Sequence, residues 1–235
     1  MEQVNIHGQR EERGARTPWV VGVSGASGTP YAAAVLRGLI DAGESVDLVV
    51  SRAARLTLLD ETGIAFRDAH WRDDLAKWLT RGADGKPGTF DVGGARLDGV
   101  RYWSAGDLGA GPSSGSYAVR GMLIVPASTA SVAGVALGLS KDLLQRAASV
   151  TLKERRKLVV AVRETPLNGQ TLKHLVTLDE AGAVVLPASP AFYAGATHIQ
   201  DLVDFVAGRV LDAAGVPHSL YRRWEGELGG SRPPG

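Results

Sequence analysis

The sequence predicts an α/β domain in three layers, a mostly parallel sheet with helices on both faces. Two observations predict it. Short β-branched, apolar runs alternate with helical stretches along most of the chain, the pattern of strands joined by helical crossovers. A Gly/Ser-rich turn links the first strand-like run to the first helical one, a common βα junction in such sheets.

The elements follow in order. Trp19 to Val23 reads as a buried strand. The loop Ser24-Gly25-Ala26-Ser27-Gly28 comes next, and Pro30 opens a helix with Val35, Leu36, Leu39 and Ile40 on one face. Gly43 stops that helix. Val46 to Val50 is the second strand. Ala53 to Thr62 and Trp71 to Thr80 read as helices. Gly82 to Ala95 is a loop by composition and has the look of an insertion. Val100 to Trp103 is a strand. Ser104 to Ser116 is a Gly/Ser-rich loop, long enough to point to function. Gly121 to Pro126 is a strand and Ser128 to Leu137 a small-residue helix. Lys141 to Arg156 is a longer helix whose basic end suits its dipole. Leu158 to Val162 is a strand, Leu172 to Glu180 a helix and Ala183 to Leu186 a strand. Ile199 to Ala214 is an amphipathic helix with Leu202, Val203, Phe205, Val206, Val210 and Leu211 as its apolar set. Residues 1–17 read as a disordered extension, 18–225 as one domain and 226–235 as a flexible tail.

Composition excludes several classes of function. The 235 residues carry 26 basic and 25 acidic side chains, a formal charge of +1, so no global field draws nucleic acid or a membrane surface. There are no cysteines, which removes disulfides, thiolate nucleophiles and zinc-thiolate sites and fits a cytoplasmic protein. The five histidines, His7, His70, His174, His198 and His218, are scattered singly and read as solvated or capping, not as metal ligands. The first residues lack the apolar segment of a signal peptide. No apolar run approaches the ~20 residues needed to span a bilayer.

In a parallel sheet, chemistry gathers at the carboxyl ends of the strands. Around the loop after Val23, glycines stand at 22, 25 and 28, and Ser24, Ser27 and Thr29 add hydroxyls, the material of a phosphate cradle at a helix N-terminus. The alternative is a tight turn that needs glycine for packing alone. The dinucleotide fingerprint, with its acid at the end of the second strand, is missing. Ser51-Arg52 stands there instead, which favours a mononucleotide and leaves Arg52 as the sole basis for an NADP reading. The strand Leu158 to Val162 ends in Arg163-Glu164-Thr165-Pro166. With Lys153, Tyr193 and Arg209 this makes several cations, a phenol and a carboxylate, the parts of a second phosphate site with a proton-transfer group beside it.

These residues carry a family likeness. VSGASGTPYA, the Ser51-x-Ala53 step, Glu61, VPASTAS, RAASVTLKERRKLVVAVRETPL, GAVVLPASPAFY and DLVDFVAGRVLDAAG resemble the flavin prenyltransferases (UbiX-like) from about Val20 to Trp224. The resemblance implies a Rossmann-like or flavodoxin-like fold, a homododecamer and no metal. It implies transfer of a dimethylallyl group, from dimethylallyl phosphate or the diphosphate, to reduced FMN. The product, prenylated FMN, serves a UbiD-like decarboxylase. By motif position, Gly25, Ala26, Ser27 and Ser51 contact the flavin, and Ser128, Thr129, Ala130 and Ser131 hold its phosphate end. Arg163 lies at the flavin. Lys153, Arg163, Tyr193 and Arg209, with Arg146, gather the prenyl phosphate. Glu164 is the main proton-transfer carboxylate. Glu61 and Arg146 reach the site across a subunit interface, and Trp224 closes over it. The Ser104 to Ser116 loop is a second candidate lid.

Two rival readings stay open at this level. A decarboxylase of the phosphopantothenoylcysteine type shares a PASTAS-like segment but depends on a cysteine and an Asn-rich segment missing here. A flavin carrier without catalysis would not need Lys153, Glu164, Tyr193 and Arg209.

Overall fold

The computed structural model describes residues 17–88, 94–224 and 226. Most of the expected extension and tail, and part of the Gly82 to Ala95 stretch, therefore lie outside the described residues. The strands are β1 (Trp19–Val23), β2 (Val46–Val50), β3 (Val100–Ser104), β4 (Gly121–Ala127), β5 (Lys157–Val162) and β6 (Val184–Pro187). The helices are α1 (Thr29–Asp41), α2 (Arg52–Thr62), α3 (Trp71–Leu79), α4 (Thr129–Ala136), α5 (Leu143–Lys153), α6 (Gly169–Glu180) and α7 (Ile199–Ala214).

All six strands are parallel, in the order β3-β2-β1-β4-β5-β6. The expected mostly parallel sheet is thus wholly parallel. Its order is the doubly wound Rossmann order, which puts the switch point between β1 and β4. Alternation along each strand divides the core into two faces. Val21, Val23, Leu48, Leu123 and Val159 face α1, α2, α3 and α7, while Val20, Met122, Ile124, Leu158 and Val160 face α4, α5 and α6.

Helix ends follow local chemistry. Ser51, Ser128, Asp142 and Asn168 cap α2, α4, α5 and α6 through side-chain oxygens. The cap at Asn168 starts α6 three residues before the expected Leu172. The cap at Asp142 and the left-handed Arg155 (φ 56°) confine α5 to less than the expected Lys141 to Arg156.

The segment between β3 and β4 runs from the carboxyl edge of the sheet to its amino edge, where Gly115 lies against Lys153 and Glu154. A parallel pair needs a crossover from one sheet edge to the other, and here irregular backbone with one 3-10 turn (Gly111–Ser113) makes it. Ala110 is buried with the α5 face of the sheet. The backbone oxygens are claimed by arginines: Arg146 Nε donates to Ser113 O (3.1 Å), and Arg156 donates to Gly115 O (2.8 Å) and Tyr117 O (2.9 Å). Tyr117 donates its hydroxyl to Asp47, a buried carboxylate of β2, at 2.8 Å. A crossover without a helix must find partners for its peptide groups elsewhere.

Candidate functional site

The site is built at the switch point. Ser24 is buried and wholly used in joining the two halves: its hydroxyl donates to Pro126 O (2.9 Å) and accepts from the Ser128 amide (2.7 Å). A side chain at Gly25 would strike Ala53, so the loop lies directly on the first turn of α2. Gly28 adopts φ 117°, open only to glycine without strain, and sets the first turn of α1.

That first turn does not wait for an external anion. Glu61, from α2 of the same chain, places its carboxylate on it. Oε1 accepts from the Gly28 amide (2.9 Å), and Oε2 accepts from the Thr29 amide (2.8 Å) and hydroxyl (2.6 Å). Pro30 has no amide to offer, and the Tyr31 amide bonds Gly28 O. A carboxylate at a helix N-terminus is favourable for the reason a phosphate would be. The phosphate cradle expected here is therefore filled, by a Glu61 of the same chain.

The N-terminus of α4 is arranged differently. Ser128 caps it, accepting from the Ser131 amide (3.3 Å) and donating to the Ser131 hydroxyl (3.2 Å). Among the described residues the amides of Thr129 and Ala130 have no hydrogen-bond partner, and Ala130 is exposed. At α2, Ser51 accepts from the Ala54 amide (3.1 Å). Two capped but open helix ends thus flank β1.

Arg163 follows β5. Its amide donates to Ala127 O (3.2 Å) and its Nε to Ser27 O (2.9 Å), and among the described residues it forms no ion pair. Ser27, Gly28, Tyr31, Glu61 and Arg163 form the polar wall of a cleft of about 480 Å³. Ile199, Leu202 and Val203 of α7 form its apolar wall. Burial pushes the Tyr31 phenol above its ordinary range; nearby Arg163 opposes the shift and Glu61 adds to it. The sequence reading did not single out Tyr31; its place in the first turn after Gly28 was the available signal. Glu164, next to Arg163, is exposed and accepts from the Thr165 amide (3.0 Å).

The other expected residues lie apart. Tyr193, 44% exposed, stands edge-on to Phe205 of α7 and to Trp224, with ring centroids 5.7 Å away in each case. Arg209 lies one turn along α7 and pairs with Asp212 at 3.0 Å. Arg146 supports the crossover. Lys153 ends α5, pairs with Glu154 and stands at the amino edge of the sheet. The whole of β5 separates Lys153 from Arg163, roughly 20 Å at the rise of a strand. One chain therefore brings together Arg163, Glu61 and the β1 loop, and separately Tyr193, Trp224 and Arg209. It does not bring Lys153 to either.

Fold and site define a flavoprotein-type α/β protein with a mononucleotide end at its switch point. The Flavoprotein family model matches residues 7–211. The chain is 84% identical over 218 residues to the flavin prenyltransferase UbiX of Streptomyces coelicolor, covering 93% of this chain and all of that one. Its fold is similar to that of AnUbiX (PadA1) in complex with FMN and dimethylallyl pyrophosphate, with a TM-score of 0.74, 32% identity and coverage of 91% of this chain and all of that one. It is similar in the same degree to a dodecameric FMN-dependent Ubix-like decarboxylase from Escherichia coli O157:H7, with a TM-score of 0.74, 33% identity and coverage of 89% and 100%. The chain belongs to the flavin prenyltransferase family.

Among the described residues no helix is long and apolar enough to cross a membrane.

Proposed function

We propose that this protein transfers a dimethylallyl group from dimethylallyl phosphate to reduced FMN, and that the prenylated FMN formed is passed to a UbiD-like decarboxylase. One observation carries the reading: the open N-terminus of α4 lies at the switch point beside Arg163, a cation with no ion-pair partner among the described residues. Those donors suit FMN. The Thr129 and Ala130 amides with the Ser128 and Ser131 hydroxyls would hold its phosphate end. Gly25, Ala26, Ser27, Ser51 and Arg163 would meet the rest.

When bound, the reduced flavin supplies an electron-rich ring that captures the allylic group. The protein's own groups do the remainder. Departure of the phosphate leaves a cation, and positive and phenolic groups stabilise the leaving anion. Lys153, Tyr193 and Arg209 have that chemistry, with Arg146, whose Nη groups make no hydrogen bond among the described residues. The family resemblance implies a fourth ring between flavin nitrogen five and carbon six, and Glu164 would accept the carbon-six proton lost as that ring closes. Glu61, fixed by three donors, is a second carboxylate on the cleft wall. The α7 wall excludes water that would quench the cation.

The placement of Lys153 at the far edge of the sheet supports assembly. Its ammonium meets an Arg163 only if copies pack amino edge to carboxyl edge, which suits a homododecamer like the similar Escherichia coli protein.

Incubation with reduced FMN and dimethylallyl phosphate, followed by flavin mass, tests the reading. The expected result is a gain of one prenyl unit. Tight FMN binding with unchanged flavin, for either the phosphate or the diphosphate, sinks it and leaves the carrier role. Glu164→Gln is expected to keep FMN and lose ring closure, seen as an incomplete flavin adduct; full turnover removes Glu164 from its role.

A further inference from the structure

One face of α7 carries Phe205, Gly208, Arg209 and Asp212, with Gly208 and Arg209 each three or four residues from Phe205 and from Asp212. Beyond α7 the chain turns at Gly215 (φ 81°) and returns along this face as an irregular strap, residues 216–224. Gly208 admits the strap: a Cβ there would lie 2.5 Å from the Tyr221 ring and 2.7 Å from the His218 ring. Tyr221 packs on Phe205, with centroids 4.8 Å apart, and Trp224 reaches Tyr193.

A single carboxylate ties these parts together. Asp212 Oδ1 accepts from Arg223 Nη2 (2.6 Å) and faces His218 Nε2 (3.0 Å). Oδ2 accepts from the Tyr221 hydroxyl (2.5 Å) and from Arg209 Nη1 (3.0 Å). The Leu220 amide donates to His218 Nδ1 (3.2 Å), so the ring proton sits on Nε2 and points at Asp212. A carboxylate has about four acceptor positions, and here all are taken. The His218 side chain is 3% exposed, so of the two roles expected for it, solvated or capping, it is not solvated. Burial alone would raise the Asp212 pKa, but the hydrogen bonds from Arg223, Tyr221 and His218 hold it down at about 2.

We infer that Asp212 is a positioning residue for the phosphate end of the allylic substrate: it fixes the Arg209 guanidinium and, through the same two oxygens, latches the strap that sets Trp224 against Tyr193. This rests on the proposed function, which makes Arg209 and Tyr193 phosphate ligands. Asp212 touches no reacting atom. Its effect follows from sharing, because four donors from one helix and one strap converge on one acceptor group. Without the negative charge, Arg209 and Arg223 repel each other and at least one donor loses its acceptor. Arg209 and Trp224 then lose their common reference together.

The test compares Asp212→Asn and Tyr221→Phe with the unaltered protein. Steady-state prenylation gives KM and kcat, and trypsin cleavage after Arg222 or Arg223, read by mass, reports the strap. Asp212→Asn is expected to raise KM for dimethylallyl phosphate about tenfold, with kcat and FMN affinity within threefold, and to speed strap cleavage about tenfold. Tyr221→Phe keeps the ring on Phe205 and removes one donor, so both readouts move about threefold; it carries the test if Asp212→Asn does not fold. KM unchanged in the variants overturns the inference, as does a loosened strap without a change in KM. If the unaltered protein leaves FMN unprenylated, the functional reading fails on its own assay. Protection of the strap by dimethylallyl phosphate, present in the unaltered protein and lost in Asp212→Asn, then decides the inference by binding alone; protection kept in the variant overturns it.

Discussion

Helices α1 and α4 both start beside the switch point, after a central strand and a loop of small residues, and each presents backbone amides to the carboxyl edge of the sheet. At α1 the amides of Gly28 and Thr29 are bound by Glu61, and a proline follows. At α4 the amides of Thr129 and Ala130 are without partners among the described residues, and serine hydroxyls stand at positions 128 and 131. The loop richer in glycine is thus the one already closed by a protein carboxylate. Glycines allow a backbone to approach an anion; they do not decide which anion arrives.

The largest effect that sharpens this contrast is expected from Ala130→Glu. A carboxylate beside the open amides of α4 competes with a flavin phosphate and repels it. FMN affinity should fall about 100-fold, close to 3 kcal/mol, measured by flavin fluorescence. Next is Gly28→Ala. At φ 117°, with a Cβ 2.7 Å from the Tyr31 ring, alanine is strained. A loss of about 2 kcal/mol is expected, or roughly 5 °C in melting temperature for a chain of this size.

Glu61→Gln is expected to cost less, about 1 to 2 kcal/mol, because one amide oxygen replaces a carboxylate that accepts from three donors. FMN affinity should stay within threefold. If FMN binding collapses in Glu61→Gln and survives in Ala130→Glu, the two helix ends have been assigned the wrong way round.

The smallest effect lies away from both ends, in acid. The fold favours the ionised form of Asp212, so the stability it adds is complete above the usual carboxylate range near 3.8 and is lost as pH falls through about 2. Near-ultraviolet circular dichroism of the Tyr193–Trp224 contact should stay constant from pH 7 to about 4 and decline below. Its partners Arg209 and Arg223 keep their charge throughout.

Much of the fold was legible before any coordinates. Val46–Val50 and Ile199–Ala214 have the bounds their apolar patterns predict, because strand and helix periodicity are local properties. Misplaced ends, as at Gly169 and Lys153, lie where a capping side chain or a left-handed residue overrides the pattern. The segments singled out by motif, Ser24 to Gly28, Ser128 to Ser131 and Arg163, lie together at the switch point. The path of the Ser104 to Ser116 loop was not legible, because its hydrogen bonds run through Arg146, Arg156 and Tyr117, residues distant in sequence.

By itself, then, the sequence determined the order of strands and helices, the caps and the residues with phosphate chemistry, since each depends on neighbours within a few positions. Only the tertiary structure decided how those residues are used. Glu61 fills the α1 terminus from 33 residues away from Gly28. Lys153 and Arg163 are close in sequence but stand at opposite edges, because a full strand runs between them. Asp212 is an ordinary helix carboxylate until the strap folds back on it. Spacing along a chain fixes local conformation, whereas the occupant of a hydrogen-bond donor or a positive charge is settled by whatever packing brings within about 3 Å.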